Sequence, residues 1–147
     1  MNITVAIIGL GIMGRRMLEH MNRHDAFTPV ALWDPDHDAC RAAQQLCPQA
    51  VIASSADAAI DAAALIYLAC PPVPRHDLTL MAAAAGKAVF LEKPLGVDVA
   101  ASEEMVSAMQ HAGVPTAVNF TQAAGAALAD ISQAAQTGGL GDIIGVD

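Results

Sequence analysis

Six short runs of apolar residues punctuate the chain: Ile3–Ile8, Val30–Trp33, Ala50–Ile52, Leu65–Leu68, Ala88–Leu91 and Pro115–Asn119. Each run is continuous rather than alternating, the pattern of a strand covered on both faces. The stretches between them carry helical spacing. Met13, Met17 and Met21 recur at i, i+4 and i+8 and predict one apolar stripe. Pro35 is placed to open the second helix, and Ser54-Ser55 with Asp57 to cap a short third one. A fourth helix is expected from about Pro74 to Ala85, stopping at Gly86. A fifth starts from Asp98 and stops at Gly113, with Pro115 two residues on. Strands alternating with helices define an α/β protein with a doubly wound parallel sheet. Right-handed crossovers favour the strand order 3-2-1-4-5-6, with helices on both faces.

The end of the chain breaks this rhythm. Thr121–Thr137 predicts one more helix, and Ile143, Ile144 and Val146 start a seventh strand at which the sequence stops. A lone strand is a poor end for a domain. The expected division is therefore residues 1–120 as one domain and 121–147 as a connecting helix and the first strand of a second, which is missing or only begun.

Composition narrows the function. The chain has 147 residues, 32 of them alanine, and aromatics make up 3%, which implies a tightly packed helix–sheet core of small side chains. Seven basic against fifteen acidic side chains give a formal net charge of −8. That balance repels a phosphate polymer, so no nucleic-acid partner is expected. No apolar stretch reaches membrane-spanning length, so no membrane partner is expected. The apolar run at Ile3 follows no basic region and does not read as a secretory signal. Arg15-Arg16 comes after that run, the wrong order for twin-arginine export. Cys40, Cys47 and Cys70 cannot all pair within one chain and form no Cys-x-x-Cys. They are read as reduced thiols of a cytoplasmic protein. His20 and His24 sit one helical turn apart but lack a third ligand, so no metal site is expected.

Gly9-Leu10-Gly11-Ile12-Met13-Gly14 fits Gly-x-Gly-x-x-Gly directly after the first strand. Gly9 allows the sharp turn, Gly11 lets the backbone approach a pyrophosphate, and Gly14 lets the helix pack on the strand. The amides of Ile12 and Met13 then face the anion from a helix N-terminus. Asp34 ends the second strand, 20 residues past Gly14, where a carboxylate accepts both ribose hydroxyls and repels a 2′-phosphate. With Asp36 nearby and no arginine directly after Asp34, NAD is favoured over NADP. Arg15 and Arg16 are read as solvated side chains.

Ligands of a doubly wound sheet lie beyond the carboxyl ends of its strands. Strand four ends in Cys70-Pro71-Pro72-Val73-Pro74-Arg75-His76, a rigid wall poor in amide donors. Strand five ends in Glu92-Lys93-Pro94, which places Lys93 at the mouth of the crevice. A partly desolvated lysine there is suited to hydrogen-bond a substrate hydroxyl or pass its proton.

Gly-Leu-Gly-Ile-Met-Gly-Arg-Arg at 9–16, Pro72 with His76 four later, Gly86-Lys87 before strand five, and above all Glu92-Lys93-Pro94 together resemble the glucose–fructose oxidoreductase/inositol dehydrogenase (Gfo/Idh/MocA) family. The resemblance runs from Ile3 to about Val146. It implies a Rossmann dinucleotide domain and hydride transfer between a nicotinamide and a hydroxyl-bearing carbon of a sugar, cyclitol or related polyol. It implies that Lys93 contacts the substrate oxygen and the nicotinamide ribose, and that Glu92 helps hold the cofactor. It also implies that Cys70, Pro71 and Pro72 pack along the cofactor with His76 nearby, and that Lys93–Pro94 is cis. The family's second domain carries most substrate contacts and the sheet through which its members form homo-oligomers. Two positions depart from the pattern: Val73 stands where members commonly have asparagine, and Asn119–Ala123 lacks the arginine or tyrosine often found there. A β-hydroxyacid dehydrogenase also uses Gly-Leu-Gly-x-Met-Gly but calls for a glycine-rich segment where this chain has Glu92-Lys93-Pro94. A dinucleotide-binding sensor or subunit without its own catalysis is the non-enzymatic alternative.

Overall fold

The computed structural model describes residues 2–121, 123 and 125–142. Six strands, β1 (Ile3–Ile8), β2 (Phe27–Trp33), β3 (Val51–Ile52), β4 (Leu65–Leu68), β5 (Ala88–Glu92) and β6 (Thr116–Asn119), form one sheet in the order β3-β2-β1-β4-β5-β6. Every neighbouring pair is parallel. This is the doubly wound Rossmann arrangement that the sequence predicts.

The first strand shows why its apolar run is unbroken. Val5 and Ile7 face one core with Leu10, Leu18, Met21, Cys40 and Ala43. Ala6 and Ile8 face the other with Ala59, Ile60, Leu78, Ala82, Met105 and Met109. The first core lies under helices α1 (Ile12–Arg23) and α2 (His37–Leu46). The second lies under α3 (Ala56–Asp61), α4 (Pro72–Ala84) and α5 (Val99–Ala112).

Several helix ends follow the sequence. Ser55 Oγ accepts from the Ala58 amide at 3.1 Å, and Asp98 Oδ1 from that of Ala101 at 2.8 Å. Gly86 and Gly113, at φ +68° and +66°, hold the left-handed backbone that stops α4 and α5.

Other ends differ. β2 begins at Phe27 rather than Val30, because Phe27, Thr28 and Pro29 already pair with Ile3, Thr4 and Val5 before the register shifts between Val5 and Ala6. Pro29, which has no amide proton to give a ladder, sits at that irregularity and hides the strand's first half from an apolar-run reading. Asp36, not Pro35, opens α2, with its Oδ1 accepting from the Asp38 amide at 2.8 Å. α4 begins at Pro72 rather than Pro74, with proline in its first turn. In α1 the buried row is Gly14, Leu18 and Met21, whereas Met17 is half-buried.

The final helix, α6 (Ala126–Gln136), is shorter than Thr121–Thr137 and has no buried residue. The expected seventh strand at 143–146 lies outside the described residues. No helix among the described residues is long and apolar enough to cross a membrane.

Backbone packing at the first turn makes two glycines behave oppositely. A Cβ on Gly14 would stand 1.8 Å from the Gly9 carbonyl oxygen, whereas one on Gly11 would meet nothing within 4 Å. Gly14→Ala is expected to cost at least about 2 kcal/mol and to lower Tm by roughly 4–8 °C. Gly11→Ala should stay within about 1 kcal/mol of the parent. Thermal denaturation of the two variants separates close packing from a general glycine effect; equal losses would contradict it.

Candidate functional site

The carboxyl ends of β1, β2, β4 and β5 open into a cleft of about 620 Å³, in the range of small-molecule sites. The cleft lies at the switch point, where β1 is flanked by β2 on one side and β4 on the other. Its lining includes Gly9, Gly11 and Met13 from the first turn, Trp33-Asp34-Pro35 after β2, Cys70-Pro71-Pro72 after β4, and Glu92-Lys93 after β5.

The first turn is held by contact and by charge. Gly9 takes φ +91°, and a Cβ there would lie 2.4 Å from the Cys70 amide nitrogen, so the turn packs backbone to backbone against the β4 exit. Asp34 Oδ2 accepts from the Leu10 amide at 2.7 Å, and Oδ1 from the Asp36 amide at 2.9 Å. The carboxylate thus ties the end of β2 to the glycine turn and remains on the cleft wall. Gly11 precedes α1, whose first helical bond runs from the Arg15 amide to the Gly11 carbonyl. Ile12, Met13 and Gly14 therefore keep amides without an intrahelical acceptor. No acidic side chain occupies that first turn, so the positive end of the helix is unopposed.

These residues fit a dinucleotide. The space beside Gly11 is open to ligand, not filled by protein, and a Cβ would enter it. Arg15 is half-buried and Arg16 exposed, and neither lines the cleft.

The far wall carries a network that apolar-run reading misses. Glu92 is 4% exposed, and its Oε1 accepts from the Tyr67 hydroxyl and, at 2.6 Å, from Asn119 Nδ2. Burial, then the bond to Glu92, pushes the Tyr67 hydroxyl far above its ordinary pKa. Arg75, 2% exposed, donates to the carbonyls of Glu92, Pro94 and Cys70. The signal for Arg75 was present: with α4 starting at Pro72, residues 75, 78, 79, 82 and 83 form its buried row. Tyr67 has no such signal, because a hydroxyl partner 25 residues away leaves no local pattern.

Lys93 stands at the mouth as expected, and the Lys93–Pro94 bond is cis. Its side chain is exposed rather than partly desolvated. It also borders a second hollow of about 410 Å³ with Phe120, Thr121, Ala123 and Leu128. Cys70 is buried on the cleft wall, and burial raises its thiol pKa.

His76 is placed elsewhere. Starting α4 at Pro72 turns Arg75 inward and His76 out toward α5, where its ring nitrogens meet Asp77 at 2.9 Å and Glu104 at 3.1 Å. The hydrogen bond to Asp77, then that to Glu104, holds its pKa above the ordinary value. It does not line the cleft. Ile12 is 77% exposed and, unlike Gly11 and Met13, is not among the residues that line the cleft. No group of three His, Cys, Asp or Glu placed to hold a metal ion occurs among the described residues.

A glycine turn, a strand-end acid and a cleft at the switch point define a dinucleotide-binding α/β domain. Comparison with known proteins carries the class further. Residues 3–120 match the GFO_IDH_MocA family model, described as an oxidoreductase family with an NAD-binding Rossmann fold, and the chain belongs to that family. It is 35% identical over 134 residues to D-apiose dehydrogenase of Paraburkholderia graminis, covering 85% of this chain and 36% of that protein. The crystal structure of myo-inositol 2-dehydrogenase from Lactobacillus plantarum superimposes with a TM-score of 0.90 at 25% identity, covering 98% of this chain and 44% of that one. Scyllo-inositol dehydrogenase from Lactobacillus casei, solved with NAD(H) and scyllo-inositol, has the same fold (TM-score 0.89, 22% identity, 97% and 43% covered). The chain thus spans less than half the length of each of these relatives.

The Tyr67 hydroxyl gives a pH test. Its folded pKa is raised, so the stability it contributes is complete below the ordinary tyrosine value near 10 and is lost as pH rises toward the folded value. Wild type should lose up to about 1.4 kcal/mol per pH unit more than Tyr67→Phe above roughly pH 10. Urea unfolding of both proteins between neutral and alkaline pH checks this, and parallel alkaline limbs would contradict it.

Proposed function

We propose that the cleft binds NAD and that the protein transfers a hydride between this cofactor and a hydroxyl-bearing carbon of a sugar, cyclitol or related polyol. The observation that carries the proposal is the open space beside Gly11, bounded by unpaired helix amides and by the Asp34 carboxylate. Gly9, Gly11 and Gly14 shape the turn, and the amides of Ile12 and Met13 receive the pyrophosphate. Asp34 accepts the adenosine ribose hydroxyls and disfavours a 2′-phosphate, which is the reason to prefer NAD to NADP. Cys70, Pro71 and Pro72 form the wall along the cofactor, and Glu92, with Oε1 anchored, supports the end nearer Lys93.

A bound nicotinamide supplies a two-electron hydride donor or acceptor. Lys93 is the catalytic candidate, placed between the cleft and the hollow beside Phe120. Its ammonium donates to a substrate oxygen and, as the neutral amine, takes the proton when a hydroxyl becomes a carbonyl. The family membership and the D-apiose and inositol dehydrogenase relatives support a polyol or sugar as the small-molecule substrate. A cytoplasmic setting is supported by three buried free thiols. Substrate contacts and homo-oligomer formation are assigned to a second domain of the kind that its longer relatives have room for. A division into residues 1–120 and 121–147 is part of this proposal, and the family match over residues 3–120 is what supports it.

Calorimetric titration tests the cofactor assignment. NADH should bind wild type, and Asp34→Arg should lose roughly 1.5–3 kcal/mol, about ten- to a hundredfold in Kd; unchanged affinity would remove the ribose assignment. In a protein carrying the substrate domain, Lys93→Ala should lower kcat by about a hundredfold or more with NADH affinity retained. Normal turnover would rule out the catalytic role.

A further inference from the structure

Among the described residues, Arg75 is the largest fully buried side chain, and no carboxylate lies within 4 Å of its guanidinium. Its Nη1 donates to the carbonyl oxygens of Glu92 and Pro94, and its Nη2 donates to that of Cys70 at 2.6 Å. Among the described residues, Arg75 Nε is the only sealed side-chain nitrogen or oxygen without a partner. Burying a cation with no carboxylate in salt-bridge contact is costly, and an apolar side chain would fill the same helix position at lower cost. Packing alone therefore does not account for an arginine here. Its three acceptors do.

Glu92 and Pro94 are the residues on either side of Lys93. One nitrogen of the guanidinium holds the turn by both shoulders and leaves Lys93 as its apex. The other nitrogen holds Cys70, at the exit of β4 on the neighbouring wall. We propose that Arg75 is a positioning residue: its planar fork fixes the Lys93 turn against the Cys70 wall and so sets where the Lys93 amine meets the cleft. A lysine does not reproduce this, because its single compact ammonium replaces two separate donor nitrogens, Nη1 to Glu92 and Pro94 and Nη2 to Cys70. The inference rests on the reading of Lys93 as the residue that faces cofactor and substrate.

The chain has only two lysines, Lys87 and Lys93, so ¹³C reductive methylation gives each its own NMR signal. Lys87, whose Nζ donates to the Asp61 carbonyl at 3.1 Å, is the internal control. In Arg75→Ala the Lys93 signal should move and lose its response to NADH while that of Lys87 stays in place. Guanidinium ion added at tens of millimolar should restore it, a rescue that general destabilisation would not show. An unchanged Lys93 signal in folded Arg75→Ala, or no rescue, overturns the proposal.

Should Arg75→Ala fail to fold, ¹⁵N-arginine spectra of wild type decide. Arg75 should show resolved, slowly rotating Nη groups, unlike exposed Arg16, and rapid averaging at Arg75 overturns the clasp. A wild-type Lys93 signal that ignores NADH overturns the cofactor reading instead. The clasp is then judged on the ligand-free signal and the guanidinium rescue.

Discussion

A methyl group on residue 14 would lie 1.8 Å from the carbonyl oxygen of Gly9, and one on residue 9 would lie 2.4 Å from the amide nitrogen of Cys70. Chain segments that close leave no room for side chains between them, and the cleft's geometry follows from that. The first turn is pressed between the start of α1 and the exit of β4. The helix therefore begins with its unpaired amides facing outward from the switch point. Asp34 then locks the turn from the other side through the Leu10 amide. The site is thus built mainly from backbone, positioned by the absence of side chains.

The opposite wall is built by the reverse strategy. There polar side chains are buried and matched: Tyr67 and Asn119 on one oxygen of Glu92, and Arg75 on three carbonyls. Such a network is expensive unless nearly every group has a partner, and it gives a fixed geometry in return. The two walls suit different tasks. A diphosphate needs donors and open space, whereas the proton transfer proposed for Lys93 needs a rigid turn.

Much of this was legible in the sequence because buried parallel strands leave continuous apolar runs and because glycine is required where backbones touch. The strand order, the Gly9–Gly14 turn and the acid at Asp34 all follow from those two signals. The first half of β2 did not, because Thr28-Pro29 interrupts the apolar run at a place where the ladder itself is irregular. The exit of β4 was placed correctly, but the start of α4 was misplaced by about half a turn of helix. Starting α4 at Pro72 instead of Pro74 exchanges the roles of two neighbours, sending His76 to Glu104 on the surface and Arg75 into the interior. Side chains that pair across 17 to 27 residues, such as Arg75, Tyr67 and Asn119 with Glu92, leave no local periodicity to read.

The central claim is that the amides at the start of α1 and the carboxylate after β2 grip one dinucleotide. An ¹⁵N amide-shift titration of the intact chain with NAD tests it most directly. The account predicts saturable shifts greatest at Gly11, Ile12, Met13 and Asp34, with smaller ones at Cys70 and Lys93. Shifts centred on another face of the protein, or none at saturating nucleotide, would contradict it.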